Sequence, residues 1–285
     1  MCSAHGDFAP KGPTSVPRPR DSSQHPDRDG IPLSRDWRTV AACWRGVVMP
    51  LKYHTQLYEL ILNLGAPVLA RSYCQFKAHP NGRRLLADKP DLLALLTDDD
   101  YLASLPVGSL GHAYRSFLTT NRLDAGVFDD NETIRPIAER NGWDEDFYYI
   151  IKRGTALHDM FHTLGGYGPD VGGELGNLGF HCGQLEPAGA LKAFFIAFAA
   201  LVPAASPRRR IDYFRQAVKR GQRADNLMAA PYEELLDKPI SEVRELLGIE
   251  PTSSAHPEGQ LFMNWTLPGV KPATRWDYDA IVEAV

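Results

Sequence analysis

Apolar residues recur at helical spacing through most of the chain after Asp36, and glycines, prolines and polar cap residues separate one apolar group from the next. These groups predict helices at 37–48, 57–64, 68–76, 80–86, 91–96, 109–118, 147–164, 191–202, 209–228, 231–236 and 241–247, with a further helix opening near Asp170. No stretch alternates apolar and polar residues for long enough to predict a strand. The pattern therefore predicts an all-α fold.

The two ends of the chain lack this spacing. Six prolines interrupt residues 1–35 and four interrupt residues 250–285, so neither segment is expected to form long regular elements. The 285 residues are 44% hydrophobic, which is enough for one sizeable core. We therefore predict a single multi-helix domain at 36–249, a disordered N-terminal tail at 1–35 and an irregular C-terminal tail at 250–285.

Composition excludes some partners and compartments. A net charge of −4 gives no reason to expect nucleic acid as a partner. The four cysteines form no CxxC pair, which is typical of reduced thiols in an intracellular protein. Residues 1–35 contain no apolar run typical of a secretory signal, and their acidic residues are unlike an organelle transit peptide. The sequence thus predicts a cytoplasmic protein.

A dense set of metal-binding groups lies between residues 158 and 174. His158 and His162 are four residues apart, so on a helix their rings share one face, and Asp159 can join that face. Five glycines and one proline between 165 and 173 then predict a tight reversal, followed by a second helix that brings Glu174 back over the rings. Histidines at this spacing are also common without a metal, but two added carboxylates favour a metal site. Two imidazoles and two carboxylates suit a divalent ion, Zn²⁺ first, with Fe²⁺ or Mn²⁺ as alternatives.

The segment 191–202 is the most apolar of the chain, and three consecutive arginines, Arg208 to Arg210, follow it. It is too short to span a bilayer, which takes about 20 apolar residues. Two interpretations remain: a buried core helix, or a lipid-facing helix with a basic flank for anionic headgroups.

Several segments resemble one known family. The arrangement His158-Asp159-x-x-His162, eleven residues and then Glu174 resembles the HDxxH-(eleven)-E signature of the fourth coenzyme Q biosynthesis protein family, whose helical members occur in mitochondria and bacteria. Further similarities to that family, in the same order along the chain, lie at 79–86, 105–114, 220–221 and 227–233. The resemblance covers about residues 71–249, and we expect a divergent bacterial member.

The resemblance implies a role in ubiquinone biosynthesis. The expected reaction is metal-dependent removal of the C1 carboxylate from a 4-hydroxy-3-methoxy-5-polyprenylbenzoate, with hydroxylation at the same carbon in the oxidative version. The expected partners are a polyprenylated aromatic or other isoprenoid lipid, other quinone-biosynthesis proteins and the surface of the inner (plasma) membrane. We also expect a homo-oligomer. Arg83, Arg84 and Arg153 are candidates for holding the substrate anion, because arginine recognises carboxylates well.

One departure from the family falls beside the predicted site. After the metal-binding Glu the family typically has a Lys-Trp-Phe-Glu run, where this chain has Leu178-Gly179-Phe180-His181. If Glu174 opens a helix, Leu178 and His181 share its face. We expect His181 to support a metal ligand or to transfer protons, with a purely structural histidine as the alternative.

Other classes of protein would need different residues in this chain. A non-enzymatic scaffold would bind prenylated intermediates and use the metal structurally. A zinc peptidase would need the longer Glu of HExxH and a strand for its substrate. A phosphohydrolase of the HD type would need a further upstream His and a differently spaced downstream Asp. The GxG at 166–168 follows a helix and lacks the Lys-Ser/Thr end of a nucleotide-binding loop.

Overall fold

The computed structural model describes residues 37–38, 40–41, 53–125, 134–185, 188–201 and 205–263. The predicted N-terminal tail, most of the predicted helix at 37–48 and residues 264–285 lie outside these ranges.

Helices follow one another along the described chain, which confirms the predicted all-α fold. They are α1 (Tyr53–Ala78), α2 (Pro80–Asp88), α3 (Leu92–Thr97), α4 (Asp99–Ser104), α5 (Leu110–Asn121), α6 (Ile134–Asn141), α7 (Glu145–Gly165), α8 (Val171–Gln184), α9 (Gly189–Leu201), α10 (Pro207–Arg223), α11 (Tyr232–Leu235), α12 (Ile240–Leu246) and α13 (Thr252–Ala255). A short 3₁₀ helix spans Leu227–Ala229. Within these ranges the extended pairing is an isolated bridge between Ser109 and Pro239.

The first long helix corrects one prediction. The sequence predicted a break at Gly65 and Pro67, but α1 runs through both residues. A proline inside a helix removes one backbone hydrogen bond and costs roughly 3 kcal/mol in isolation. Here Leu64, Ala66 and Val68 are buried on either side of the proline, and this packing outweighs the local preference.

Helix α7 crosses the core. The side chain of Asp144 caps its first turn by accepting a hydrogen bond from the N–H of Phe147. Its last turn ends at Gly166, which adopts φ 66° and donates its N–H to the carbonyls of His162 and Thr163. Glycine reaches this left-handed conformation without steric cost, so the helix stops at a defined residue.

Helix α8 packs against α10 through glycines, with almost no side chain between the two backbones. A Cβ at Gly179 would lie 2.8 Å from the Cβ of Ala217 and from the carbonyl oxygen of Phe214. On the facing helix, a Cβ at Gly221 would lie 2.1 Å from the carbonyl oxygen of Phe180. Larger residues at these positions would force the two helices apart. The close approach therefore fixes the position of α8, including the face that carries Glu174.

The packed part of the chain continues past residue 249, where the sequence placed the start of an irregular tail. Residues 250–263 include α13, and His256 and Leu261 are buried. The prolines in this segment do shorten its regular structure, but its side chains find acceptors on the end of α7. The ordered domain therefore includes at least the first part of the predicted tail.

The apolar helix α9 contributes to the core. Leu191, Phe195 and Ala199 lie at four-residue spacing and are buried, which supports the core interpretation for this face. The arginines that follow do not form one outward patch, because consecutive helical residues project about 100° apart. The side chain of Arg208 is 92% exposed, whereas Arg209 is held by Glu258 and Arg210 is buried. Among the described helices, none is both long and apolar enough to cross a membrane.

Candidate metal centre

The structure brings the predicted ligands together at the reversal between α7 and α8. His158, Asp159 and His162 offer ligand atoms that all lie within 4.8 Å of one another. Glu174 stands in the first turn of α8, with its Oε2 3.4 Å from His162 Nε2 and 3.8 Å from His158 Nε2. Two helices that meet at a glycine-rich turn thus place a carboxylate opposite two imidazoles.

The turn is held by Asp170, the cap residue of α8. Its carboxylate accepts hydrogen bonds from the backbone N–H groups of Gly172, Gly173 and Met263. Burial nevertheless raises the pKa of Asp170 above its ordinary value. A Cβ at Gly173 would lie 2.0 Å from the carbonyl oxygen of Gly168, so the turn requires glycine here. The spacing of glycines in the sequence therefore reflects the close return of the chain toward the rings.

His162 is oriented by a backbone acceptor. Its Nδ1 lies 3.2 Å from the carbonyl oxygen of Tyr167, and because a carbonyl only accepts, Nδ1 carries the proton and donates it. This tautomer leaves a lone pair on Nε2, which is buried and has no hydrogen-bond partner. An oriented imidazole with a free Nε2 is the usual form of a metal-binding histidine.

The electrostatics of the cluster favour an added positive charge. Burial lowers the pKa of His162, but the adjacent Glu174 carboxylate outweighs it and raises that pKa above its ordinary value. Burial raises the pKa of Glu174, yet His162 and His158 bring it below its ordinary value. The Glu174 carboxylate therefore favours a positive charge beside the two imidazoles, and a divalent ion can supply that charge.

The separations of Glu174 from the two imidazoles are compatible with a shared ion. Ligands bonded at about 2.0–2.2 Å to a shared ion lie about 3.0–3.6 Å from one another, close to the 3.4 and 3.8 Å separations of Glu174 from the two Nε2 atoms. The side chain of His162 is 1% exposed, whereas those of His158 and Glu174 are 29% and 18% exposed. The cluster is thus buried on the His162 side and open on the other, which leaves room for a molecule to approach an ion.

His181 lies beside the cluster, two turns after Glu174 on α8. Its ring stacks on His158, with centroids 5.7 Å apart and an interplanar angle of 24°, and it lies 4.4 Å from the ring of Phe161. Burial holds the pKa of His181 well below its ordinary value, and His158 and His162 lower it further. The structure thus places His181 beside the cluster; its part in supporting a metal ligand or transferring protons stays a prediction.

The three candidate arginines have protein partners. The guanidinium of Arg153 is 1% exposed and donates to Glu233 at 2.5 and 3.1 Å and to the carbonyl of Ala230. Arg83 donates to the carbonyl of Ala78, and Arg84 pairs with Glu234. Their role in holding a substrate anion stays a prediction, and for Arg153 it would require the buried pair to open.

Sequence reasoning missed the residues that hold the end of α7. Arg220 and Thr252 donate to the carbonyl of Gly165, and Arg244 donates to the carbonyls of Leu164 and Thr163. These are the carbonyls that a helix leaves without internal partners, and two cationic donors also complement the negative end of its dipole. The sequence signal was Arg220, which shares the mainly apolar buried face of α10 with Arg210.

A second missed group fixes the side chain of Tyr167. Its hydroxyl lies 2.9 Å from His256 Nε2, and His256 Nδ1 lies 3.0 Å from Gln216 Oε1. The amide oxygen only accepts, so Nδ1–H donates to it and the tyrosine hydroxyl donates to Nε2. Arg220 lies over the ring of Tyr167. The residue whose carbonyl orients His162 is therefore held from several sides.

The fold and the site define an all-α protein with a candidate two-histidine, two-carboxylate metal centre between two consecutive helices. The chain matches the family described as "Coenzyme Q (ubiquinone) biosynthesis protein Coq4" over residues 47–253, and it belongs to that family. The resemblance seen in the sequence is thereby confirmed; a bacterial origin stays a prediction.

Two curated relatives show the extent of the similarity. The mitochondrial ubiquinone biosynthesis protein COQ4 of Lodderomyces elongisporus is 30% identical over 210 residues, which are 70% of this chain and 53% of that protein. The mitochondrial coq-4 protein of Neurospora crassa is 32% identical over 187 residues, 61% of this chain and 48% of that protein. The chain thus spans about half the length of these relatives.

A solved structure shares the fold. A crystal structure at 2.85 Å of a Nostoc punctiforme protein, provisionally named a ubiquinone biosynthesis protein, superposes with a TM-score of 0.53 at 19% identity. The match covers 75% of this chain and 97% of the other. At this identity it supports the helical architecture alone.

Proposed function

We propose that the protein acts in ubiquinone biosynthesis as a metal-dependent decarboxylase. Its substrate would be a 4-hydroxy-3-methoxy-5-polyprenylbenzoate, from which the C1 carboxylate leaves as CO₂. In the non-oxidative version a proton takes its place on the ring. In the oxidative version dioxygen and a two-electron donor would supply a hydroxyl group to the ring and release one water. The observation that carries this proposal is the Glu174 carboxylate facing two imidazole Nε2 atoms on one side of an open cluster. Membership of the Coq4 family supports the pathway.

The residues of the cluster have distinct parts in this reaction. His158, Asp159, His162 and Glu174 would hold a divalent ion, most suitably Zn²⁺, with Fe²⁺ or Mn²⁺ as alternatives. When bound, the ion supplies a positive charge that attracts the substrate carboxylate and stabilises negative charge developing on the ring. The buried His162 side keeps water away from one face of the site, and the more exposed His158 side admits the aromatic ring.

An apolar groove could take the prenyl chain. It has a volume of about 580 Å³ and lies between the described N-terminal helical residues, α1 and α9. Its lining is apolar throughout and consists of Trp37, Val40, Ala41, Leu60, Leu64, Ala190, Ala193 and Phe194. Such a surface suits an isoprenoid. It supports the lipid-lining interpretation for the face of α9 that carries Ala190, Ala193 and Phe194, while the face with Leu191, Phe195 and Ala199 belongs to the core.

The reaction is tested directly with purified protein loaded with each candidate ion. The substrate is 4-hydroxy-3-methoxy-5-prenylbenzoate carrying ¹⁴C in its carboxyl group, supplied in detergent both anaerobically and aerobically, the aerobic assay with and without an added two-electron donor. We expect release of labelled CO₂ and a ring product lacking the carboxylate, detected by mass spectrometry. The His162→Ala and Glu174→Gln variants should lose this release, whereas His112→Ala, a change on α5, should keep it. The proposed activity would be contradicted if wild-type protein, loaded with a full equivalent of each of the three ions in turn, released no more labelled CO₂ than the variants do.

A scaffold function is the second candidate. It is favoured by the engagement of Arg83, Arg84 and Arg153 with protein acceptors, because these were the groups expected to hold the substrate anion. In that case the protein binds prenylated intermediates with a structural metal and organises other quinone-biosynthesis proteins. Binding of the prenylated acid without turnover, together with restored quinone production in a strain lacking its own family member, would favour the scaffold.

Both candidate functions imply the same cellular location and the same kinds of partner. We infer that it works at the cytoplasmic surface of the inner membrane, as a homo-oligomer in contact with other enzymes of the pathway. Flotation with liposomes tests the membrane part of this inference. Since only Arg208 of the three arginines is fully outward, the apolar groove should contribute more to binding than electrostatic attraction, and added salt should weaken binding only slightly.

A further inference from the structure

The α8 face that carries Glu174 also carries His181, and both look toward α7. His181 stacks on His158 at a centroid distance of 5.7 Å, while His158 lies 4.9 Å from His162. Two imidazoles bound through Nε2 to one ion, with bonds of about 2.0–2.1 Å, have ring centroids about 4.5–5.5 Å apart. The His158–His162 pair falls within that range and the His158–His181 pair just outside it. The ring nitrogens of His181 are not among the ligand atoms that lie within 4.8 Å of one another, so coordination requires its ring to turn toward the cluster.

The Nε2 atom of His181 is buried and has no hydrogen-bond partner. The same is true of the Nε2 atom of His162. Leaving a buried polar nitrogen unpaired costs roughly 1–3 kcal/mol, so such an atom marks strain, an ordered water or a missing ligand. The His181 ring packs against Phe161, and this contact would suit any aromatic side chain. It gives no reason for the side chain to be an imidazole whose Nε2 has no partner. A metal ion in the cluster satisfies both nitrogens at once.

We propose that His181 supplies a third imidazole to the metal centre, so that the ion is held by His158, His162, His181 and the carboxylates of the cluster. This inference rests on the proposed metal site and deepens it. A ligand set with three imidazoles favours Zn²⁺, Fe²⁺ or Co²⁺ over Mg²⁺, which prefers oxygen ligands. His181 is thereby also the residue that selects the metal.

The full-length protein can be tested with metals alone, without substrate. The wild-type protein loaded with one equivalent of Cu²⁺ is examined by pulsed electron paramagnetic resonance, which counts coordinated imidazoles through their remote ring nitrogens. We expect three in the wild type and two in His181→Gln. A wild-type count of two would overturn the inference, and this measurement needs no variant to fold.

Titration with Co²⁺ provides the second arm. Loss of a supporting group around a metal typically costs about 10- to 100-fold in affinity, so His181→Gln should raise the Kd for Co²⁺ by at least about 10-fold and change the visible spectrum of the bound ion. The His181→Glu variant should retain one equivalent and bind Mg²⁺ more tightly relative to Zn²⁺ than the wild type does. His112→Ala is the matched control and should behave as wild type.

The outcomes separate this inference from the proposed function. If the wild type binds no stoichiometric metal, the metal centre is wrong and His181 has no such role. If the wild type binds one equivalent through two imidazoles and His181→Gln binds as tightly, only the assignment of His181 is wrong, and the centre at His158 and His162 stands.

Discussion

The imidazole of His162 donates its Nδ1–H to the backbone carbonyl of Tyr167, 3.2 Å away, across the turn that ends α7. This contact links the geometry of the turn to the metal-binding nitrogen on the other side of the ring. Anything that displaces Tyr167 should therefore rotate His162 and weaken metal binding, even if no ligand is changed.

The glycine contact between α8 and α10 can be tested by adding a methyl group to either helix. Gly179→Ala and Gly221→Ala should each destabilise the fold by about 2–3 kcal/mol, because a Cβ would strike backbone or Ala217 at 2.8 Å or less. Gly65→Ala is the control, since its Cβ would meet nothing closer than 3.5 Å and should be neutral or slightly stabilising. Urea unfolding measures the differences. Equal stability of all three variants would contradict the close packing.

Arg220 should be irreplaceable by lysine. Its guanidinium donates to the carbonyls of Gly165 and Glu250 at 2.5 and 2.7 Å, and a single ammonium cannot reach both with the same geometry. We expect Arg220→Lys to lower the free energy of unfolding by about 3 kcal/mol. Arg223→Lys, whose side chain is exposed, should change it by less than about 0.5 kcal/mol. Stability is read from denaturant titrations, and a wild-type value for Arg220→Lys would show that the contacts to the end of α7 are dispensable.

His256 should make the protein acid-sensitive. Burial lowers its pKa to about 3 from an ordinary 6.5, so the native protein keeps this imidazole neutral where the unfolded chain protonates it. The unfolded state binds the extra proton between these two values, and stability must therefore fall as the pH falls from about 6.5 toward 3. His256→Gln should flatten this part of the stability curve, whereas His112→Ala should not. Parallel curves for the wild type and His256→Gln would contradict a neutral buried His256.

Arg153 and Glu233 form a pair that a double-mutant cycle can measure. If the pair is structural, Arg153→Met and Glu233→Gln should each cost about 3 kcal/mol of stability, and the double variant should cost clearly less than their sum. If Arg153 instead holds a substrate anion, Arg153→Met should raise KM for the prenylated acid while Glu233→Gln leaves it unchanged. Thermal unfolding and steady-state kinetics on the same variants distinguish the two roles.

Local patterns in the sequence were sufficient to predict most of the helices. The apolar spacing at 147–164 predicts α7 within two residues of its observed start. The glycine run after Leu164 predicts the reversal, because helices do not continue through such a segment. The pattern was misleading in α1, where Pro67 suggested a break and tertiary burial kept the helix continuous.

The site was predictable only in part, because its supports come from distant parts of the chain. The spacing of His158, His162 and Glu174 indicates a cluster directly. The contacts of Arg220 and Thr252 with Gly165 join residues 55 and 87 positions apart, and no local periodicity encodes them. The tail beyond residue 249 was expected to be irregular because four prolines interrupt it, yet Thr252 and Gln260 of that segment donate hydrogen bonds to carbonyls at the end of α7.

The most direct test of the account is the metal content of protein purified without chelators. Inductively coupled plasma mass spectrometry should find one equivalent of a divalent transition metal per chain in the wild type. The content should fall below about 0.1 equivalent in His158→Ala and His162→Ala, which lose a ligand that water replaces poorly. Asp159→Ala and Glu174→Ala should lose less, while circular dichroism shows the helices intact in all four variants. A full equivalent of metal in both histidine variants, or none in the wild type after incubation with Zn²⁺, Fe²⁺ and Mn²⁺, would contradict the metal centre on which the proposed function depends.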